Sequence, residues 1–238
     1  MHAGIHIMLM DGASAPAEQE VLPRLHPLEQ ARYGALAQPQ RRRSWLAGRA
    51  LMLAALGCIS ERVDATALRT AESGGVRYGD GALHLNLSHC RDLFGVALAT
   101  VPVGLDLEWP RPRSAVDMAA RVYTAEEAAG LALLSAAARQ DAFYTLWTLK
   151  EAACKAAGLA VWDSLKHARF DLPAGRFTPE APLPGGAWSC MHAGLEGGWR
   201  LALAARCGPP LEVGCRRLAP YGQWNKVMLV QPAWVYAR

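Results

Sequence analysis

Two Ala-rich stretches, Arg49-Ala50-Leu51-Met52-Leu53-Ala54-Ala55-Leu56-Gly57 and Lys150-Glu151-Ala152-Ala153-Cys154-Lys155-Ala156-Ala157-Gly158, superpose without a gap. Each runs into a loop and then into strand-like segments. Ala, Leu, Lys and Glu are strong helix formers, and a closing Gly ends a helix in the left-handed conformation. A helix with an apolar stripe needs a partner layer to cover it, and a second copy of the helix needs a second layer. The repeat therefore predicts two similar lobes, each a helix packed on a small sheet, joined near Thr100 to Val103: an N-terminal lobe 1–101 and a C-terminal lobe 102–238.

The second helix carries the chemistry. Ala142, Leu146, Leu149, Ala153 and Ala156 fall on one apolar stripe, while Trp147, Glu151 and Lys155 form an i, i+4, i+8 row facing away from it. A Glu–Lys pair at this spacing on an open surface is worth only about 0.3–0.5 kcal/mol. Two features point instead to a cleft wall. Trp147 shares the row, and Lys150 and Lys155 are two of only four lysines beside twenty-one arginines. A chain that so favours arginine keeps lysine where a compact, movable charge is wanted.

With 52% hydrophobic and 19% charged residues and a formal charge of +4, the composition is that of a globular protein. The charge suits an anionic ligand or an acidic partner, and no segment is basic enough to argue for nucleic acid. Six scattered cysteines with no Cys-x-x-Cys favour neither zinc nor a disulfide framework. Free thiols in a reducing cytoplasm are expected. Ile5 to Met10 has no basic flank or small-residue cleavage site, so no signal peptide is expected, and no apolar run reaches the roughly 18–20 residues of a membrane span.

Along the chain, residues 1–10 read as a strand, 21–37 as proline-punctuated helix, and 41–57 as a long helix. Arg41, Arg42 and Arg43 open that helix, where cations oppose the macrodipole and a bound anion would relieve the cost. Residues 69–81 read as loop. His84 to His89 and Phe94 to Ala99 read as a hairpin. In Val101 to Glu108, period two places the Val and Leu residues on one face and Gly104, Asp106 and Glu108 on the other. Neighbouring carboxylates repel unless a cation lies between them, and Gly104 leaves room for a ligand to approach the backbone. Residues 115–158 read as helical, with a Thr124–Glu127 capping box and a turn at Arg139 to Asp141. Strands are expected at 168–172, 187–192 and 198–205, with a packed or strand-like tail.

Asn86-Leu87-Ser88-His89, Gly104-Leu105-Asp106-Leu107-Glu108 and Trp147-Thr148-Leu149-Lys150-Glu151-Ala152 with Lys155 resemble, in order and spacing, the 4′-phosphopantetheinyl transferases, specifically the two-lobed monomeric group that activates carrier domains of peptide and polyketide synthetases. The resemblance implies an α+β fold with pseudo-twofold duplication, each lobe a long helix on a small, mostly antiparallel sheet, and an active site in the cleft between lobes. It implies transfer of phosphopantetheine from coenzyme A to a serine of an apo acyl or peptidyl carrier protein, with release of adenosine 3′,5′-bisphosphate. Asp106, Glu108 and Glu151 offer hard oxygen ligands suited to Mg²⁺. Glu151 is a candidate metal ligand and a candidate base that orients or deprotonates the serine; Lys155 is a candidate to neutralise a phosphate or to protonate the leaving group. Ser88, His89, Lys150 and Lys155 are candidates for the phosphates, with Arg42, Arg43 and Arg49 for the 3′-phosphate and Arg43 preferred among them.

The family commonly carries a Gly-Lys-Pro loop before the Asn-x-Ser-His strand. Here the loop reads Gly74-Gly75-Val76-Arg77, so Arg77 is the candidate replacement, and Cys90 stands where a second serine is usual. The resemblance also implies a docking surface for an acidic carrier helix around Arg113, Met118, Arg121 and Tyr123. A coenzyme A or carrier-binding module without turnover and a Mg²⁺-dependent phosphohydrolase are the competing readings.

Overall fold

A computed structural model describes residues 3–71, 75–111, 115–209, 211–219 and 223–237. The chain forms two compact units: Met1–Val101 with Glu212–Val227, and Pro102–Leu211 with Met228–Arg238. Sequence assigned the whole tail to the second lobe; its segment 212–227 instead joins the first unit.

In the first unit, β1 (Ala3–Asp11) is followed by the short helix α1 (Glu18–Val21), α2 (Pro27–Gly34) and the long α3 (Pro39–Gly57), then β2 (Leu68–Thr70), β3 (Val76–Tyr78), β4 (Leu83–Cys90) and β5 (Leu93–Ala99). The second unit repeats the plan with β6 (Val103–Glu108), α4 (Ala115–Val122), α5 (Ala125–Ala132), the long α6 (Ala136–Ala157), α7 (Val161–Ser164), β7 (Ala168–Asp171), β8 (Arg176–Pro179), β9 (Trp188–Leu195) and β10 (Trp199–Ala205). The tail supplies β11 (Leu211–Leu218), β12 (Trp224–Lys226) and β13 (Val230–Ala237).

The sheet orders are β12-β11-β1-β5-β4-β3-β2 and β6-β10-β9-β13-β8-β7. Remove the tail strands, and the order first-last-penultimate is the same in both units. Among the described pairings with a defined register, all are antiparallel apart from a parallel contact of β13 with β8 at Tyr236 and Arg176. This is the expected duplicated α+β architecture. Each long helix covers one face of its sheet: α3 packs Leu51, Met52 and Ala55 with Met8, Val96 and Leu98, and α6 packs Leu149, Ala152 and Ala153 with Cys190, Ala202 and Ala204.

The duplication extends to a buried clamp. Arg49 donates from Nε to Glu29 Oε2 at 2.9 Å, and Glu29 Oε1 accepts the amide of Thr70 at 2.8 Å. In the second unit Lys150 Nζ lies 2.8 Å from Glu127 Oε2, and Glu127 Oε1 accepts the amide of Phe170 at 3.2 Å. In both units a cation of the long helix holds a glutamate of the preceding helix, which in turn grips the first strand after the long helix. The gap-free superposition of the two Ala-rich stretches places Arg49 on Lys150, so the repeat reflects a shared structural part.

A second device recurs near the start of each long helix. Arg42 donates to the Leu36 and Gly34 carbonyls at 2.6 and 3.2 Å, and Arg139 donates to those of Leu131, Ala132 and Leu134 at 3.0, 3.0 and 2.7 Å. Each guanidinium satisfies carbonyls that the preceding helix leaves open at its C-terminus. Arg139 to Asp141 is therefore helix, and the turn falls at Leu133 to Ser135, one step earlier than the charged cluster suggested. The predicted loop 69–81 overlaps the end of β2 and contains β3, which at three residues each are too short to show an alternating pattern.

Gly104 has a different reason from the one read in the sequence. A Cβ there would fall 2.0 Å from the Ala152 carbonyl oxygen and 2.5 Å from the Ala156 nitrogen. Glycine lets β6 lie against the backbone of α6; the space is filled by protein. Gly104→Ala is expected to destabilise the second unit by about 3 kcal/mol or more, since both contacts are backbone and cannot turn aside, with thermal denaturation as the readout. Burial raises the Glu29 carboxyl, but the Thr70 amide and the Arg49 charge outweigh it and hold the group below its ordinary value. Such stability is present above the unfolded glutamate value and lost as pH falls through the folded one. Denaturant titrations from about pH 5 downward should show a steep loss of stability that Glu29→Gln flattens.

Candidate active site

β6 and α6 bring the central residues together. The pleat places Asp106 on the same sheet face as Gly104, against α6, and the side chain is buried. Its Oδ1 accepts from Lys155 Nζ at 2.6 Å, and the same ammonium lies 3.2 Å from Glu151 Oε2. Lys155 and Glu151 occupy adjacent turns and retain partial exposure at 20% and 17%, so the pair opens to solvent while Asp106 closes its floor. Glu108, half-buried at the last position of β6, is two residues along the same face.

Electrostatics follow from this burial. Desolvation pushes the Asp106 carboxyl up to about 7, against the pull of Lys155 and with the support of the Glu151 and Glu108 charges. Burial acts to lower Lys155, yet the charges of Asp106 and Glu151 outweigh it and hold the ammonium above its ordinary value. An amine so held is a persistent positive charge and a weak acid.

The three carboxylates expected to hold a metal are gathered only in part. Asp106 and Glu151 meet at Lys155, and among the described residues no group of three His, Cys, Asp or Glu side chains is close enough to hold an ion as it stands. The donor set nonetheless has the chemistry of a Mg²⁺ site, being hard carboxylate oxygen around a buried aspartate. An ion bound by Asp106 and Glu151 competes with the ammonium for the same oxygens.

Lys150 does not belong to this site. It is fully buried, and its three N–H bonds serve Leu165 O at 3.1 Å, Ala168 O at 2.5 Å and Glu127. Nor does Trp147 face a polar row, being 4% exposed and packed with Phe143 and Trp162. Every residue from Phe143 to Lys150 is buried, because α6 has the sheet on one side and α4, α5 and α7 around it. A pattern of one stripe underestimates a helix enclosed on several sides. Tyr123, expected on a docking surface, is 2% exposed and donates to the Phe143 carbonyl at 2.8 Å. Arg121 is exposed and Met118 half-buried, while Arg113 lies outside the described residues.

The first unit holds a second group of predicted residues. His89 and Arg49 line one pocket of about 580 Å³ together with Arg41, Ser44, Trp45, Leu87 and Arg91. His89 stacks on Phe94, its direct partner across the hairpin, at 5.2 Å. Arg49 lies under this pocket, its guanidinium 4.4 Å over the Trp45 ring and its charge tied to Glu29. Arg43 is exposed and lines a neighbouring pocket of about 360 Å³ that it shares with Arg91, Glu18 and Asp92.

Other predicted residues are elsewhere. Ser88 is buried on the opposite face of β4 from His89, as strand alternation requires. Arg77, exposed on β3, lines neither pocket and lies across from His84 and Arg69. Gly74 lies outside the described residues.

Sequence reasoning missed Trp45 and Arg91. Trp45 carries a readable signal, its i, i+4 spacing to Arg49. Arg91 shows itself only in the backbone: with φ at +51°, it is the one non-glycine residue at positive φ among those described. It is the first of two residues linking β4 to β5. Glycine is usual at this position of a two-residue hairpin, and a side chain there costs on the order of 1 kcal/mol.

Fold and site together define a duplicated α+β protein with a buried acid–lysine centre. The sequence matches the 4′-phosphopantetheinyl transferase superfamily model over residues 102–204. It is 36% identical over 129 residues to the 4′-phosphopantetheinyl transferase AcpT of Salmonella typhimurium, covering 53% of this chain and 64% of that one. Identity to HetI of Nostoc sp., also named a 4′-phosphopantetheinyl transferase, is 32% over 147 residues, covering 59% and 62%. Identity to AcpT of Escherichia coli O157:H7 is 32% over 143 residues, covering 57% and 70%. The chain spans less than two thirds of the length of the first two relatives. It belongs to the 4′-phosphopantetheinyl transferase superfamily.

Because Lys150 is committed inside the second unit, Lys150→Ala should behave as a stability variant. Removing one partner of a fully buried pair costs about 3–5 kcal/mol; here the loss should be smaller, on the order of 2–3 kcal/mol, because Glu127 is only half-buried, while the Leu165 and Ala168 carbonyls lose their donor. Equilibrium denaturation should show that loss, and an unchanged midpoint would return Lys150 to the set of ligand-binding candidates.

Proposed function

We propose that the protein transfers the 4′-phosphopantetheine arm of coenzyme A to a serine hydroxyl of an apo acyl or peptidyl carrier protein. The new bond joins the serine Oγ to the phosphorus that carries pantetheine, and the bond that breaks releases adenosine 3′,5′-bisphosphate. The observation that carries this reading is the meeting of Asp106 and Glu151 at the Lys155 ammonium, inside the segment that matches the family model.

Glu151, partly open to solvent, accepts the serine proton at its carboxylate. Lys155, held protonated by its neighbours, neutralises a phosphate oxygen and so lowers the repulsion met by the incoming hydroxyl. Asp106 keeps the lysine in place from below. Mg²⁺ is the metal proposed for this site, held by Asp106, Glu108 and Glu151, and when bound it supplies charge stabilisation to the diphosphate and the departing phosphate. In the first unit, Arg43 and the pocket lined by Arg41 and His89 take the phosphate-bearing nucleotide end. Exposed Arg121, with Met118 beside it, suits an acidic carrier surface.

Incubation of the protein with coenzyme A, Mg²⁺ and an apo carrier protein, followed by intact mass measurement of the carrier, tests the proposal. One added phosphopantetheine per carrier is the expected result. Binding of coenzyme A with no mass change, or free phosphopantetheine beside an unmodified carrier, would replace the transferase with a binding module or a hydrolase. Glu151→Gln and Asp106→Asn should each reduce the rate by at least about 100-fold, and full activity in either variant would remove that residue from the site.

A further inference from the structure

One ion pair lies beside the acid–lysine centre, on the α6 face of the second sheet. Glu108, the last residue of β6, stands directly opposite Arg200 of β10, in the register that sets Asp106 opposite Ala202. Residues paired in this way share a sheet face with Cβ atoms about 4.5–5.5 Å apart, so the two side chains rise next to each other. On the reverse face the next two positions, Trp109 and Trp199, meet edge to face with ring centroids 5.0 Å apart and pin this end of the pairing. The guanidinium is carried across to α6. Its Nε donates to Asp141 Oδ1 at 3.1 Å, and its Nη2 donates to the same oxygen.

The side chains of Arg200 and Asp141 are 32% and 58% exposed, and an ion pair so open to water adds little to stability. Its position matters more than its strength. A guanidinium is long enough to reach a carboxylate on the neighbouring strand, and there it would take the oxygens that a divalent ion needs. We propose that Asp141 is a positioning residue for the metal site: it draws the Arg200 guanidinium onto α6 and so keeps it from occupying the Glu108 oxygens. Asp141 is no part of the ligand set; it acts through Arg200. The inference rests on the reading of Asp106, Glu108 and Glu151 as Mg²⁺ ligands, and it goes beyond that reading by naming a residue that sets how tightly the ion is held.

Calorimetric titration of Mg²⁺ into the protein, alone and with coenzyme A present, tests it on wild type, Asp141→Asn and the double variant Asp141→Asn with Arg200→Gln. Asparagine keeps the size of the side chain and removes its charge, so the guanidinium is released toward Glu108. The Mg²⁺ affinity of Asp141→Asn should fall about 5-fold or more, the size of one partly exposed ion pair set against the metal. The double variant also removes the competitor, and its Mg²⁺ affinity should return to the wild-type level. Unchanged affinity in Asp141→Asn overturns the inference alone. So does a double variant as weak as the single one, the result expected of a pair that only ties α6 to β10. A wild-type protein that binds no Mg²⁺ under either condition overturns the metal reading and this inference with it.

Discussion

A glutamate clamped by a buried cation organises each unit of this protein. Glu29 and Glu127 each take a strand amide with one carboxylate oxygen and a long-helix cation with the other. Burying such charges is expensive, and their mutual attraction does little more than offset the desolvation. What the clamp secures is geometry: it fixes the long helix, the helix before it and the first following strand to one point. Arginine serves in one unit and lysine in the other. The fork of Arg49 also reaches Thr70 Oγ1, and the three-pronged ammonium of Lys150 reaches two carbonyls.

Once α6 is anchored in this way, Gly104 allows β6 to approach its backbone, and that approach carries Asp106 to Lys155. The acid–lysine centre depends on the packing of one strand against one helix. Its properties follow from depth. Asp106 is deep enough for desolvation to raise its carboxyl, and Lys155 sits between two carboxylates that keep it charged. Close packing, not a bound ligand, explains the glycine in the Gly-x-Asp-x-Glu strand.

The abundance of arginine also acquires an account. Arg42 and Arg139 close helix ends, Arg49 completes a clamp, and Arg41, Arg43 and Arg91 remain at the surface of the first unit around its pockets. The first three replace water at backbone and carboxylate acceptors; the others have exposed side chains.

Periodicity and repetition in the sequence determined much of this. The β-hairpin, the capping box at Thr124 and Glu127, the long helices, the left-handed cap at Gly158 and the duplicated lobes were all legible, because each is set by local stereochemistry or by residues close in the chain. So was the pairing of Asp106 with the Glu151–Lys155 row, through the resemblance of three separated motifs. Local pattern could not tell which lysine meets Asp106: Lys150 and Lys155 differ by five residues, and only the position of Glu127 and the carbonyls of residues 165 and 168 draws the first into the core. Ser88 and His89, adjacent in sequence, were separated by the pleat, and Tyr123 was taken inward by its bond to the Phe143 carbonyl. Burial and hydrogen-bond supply depend on segments far apart in the chain, so the tertiary structure alone decided which charges hold the fold and which are left for chemistry.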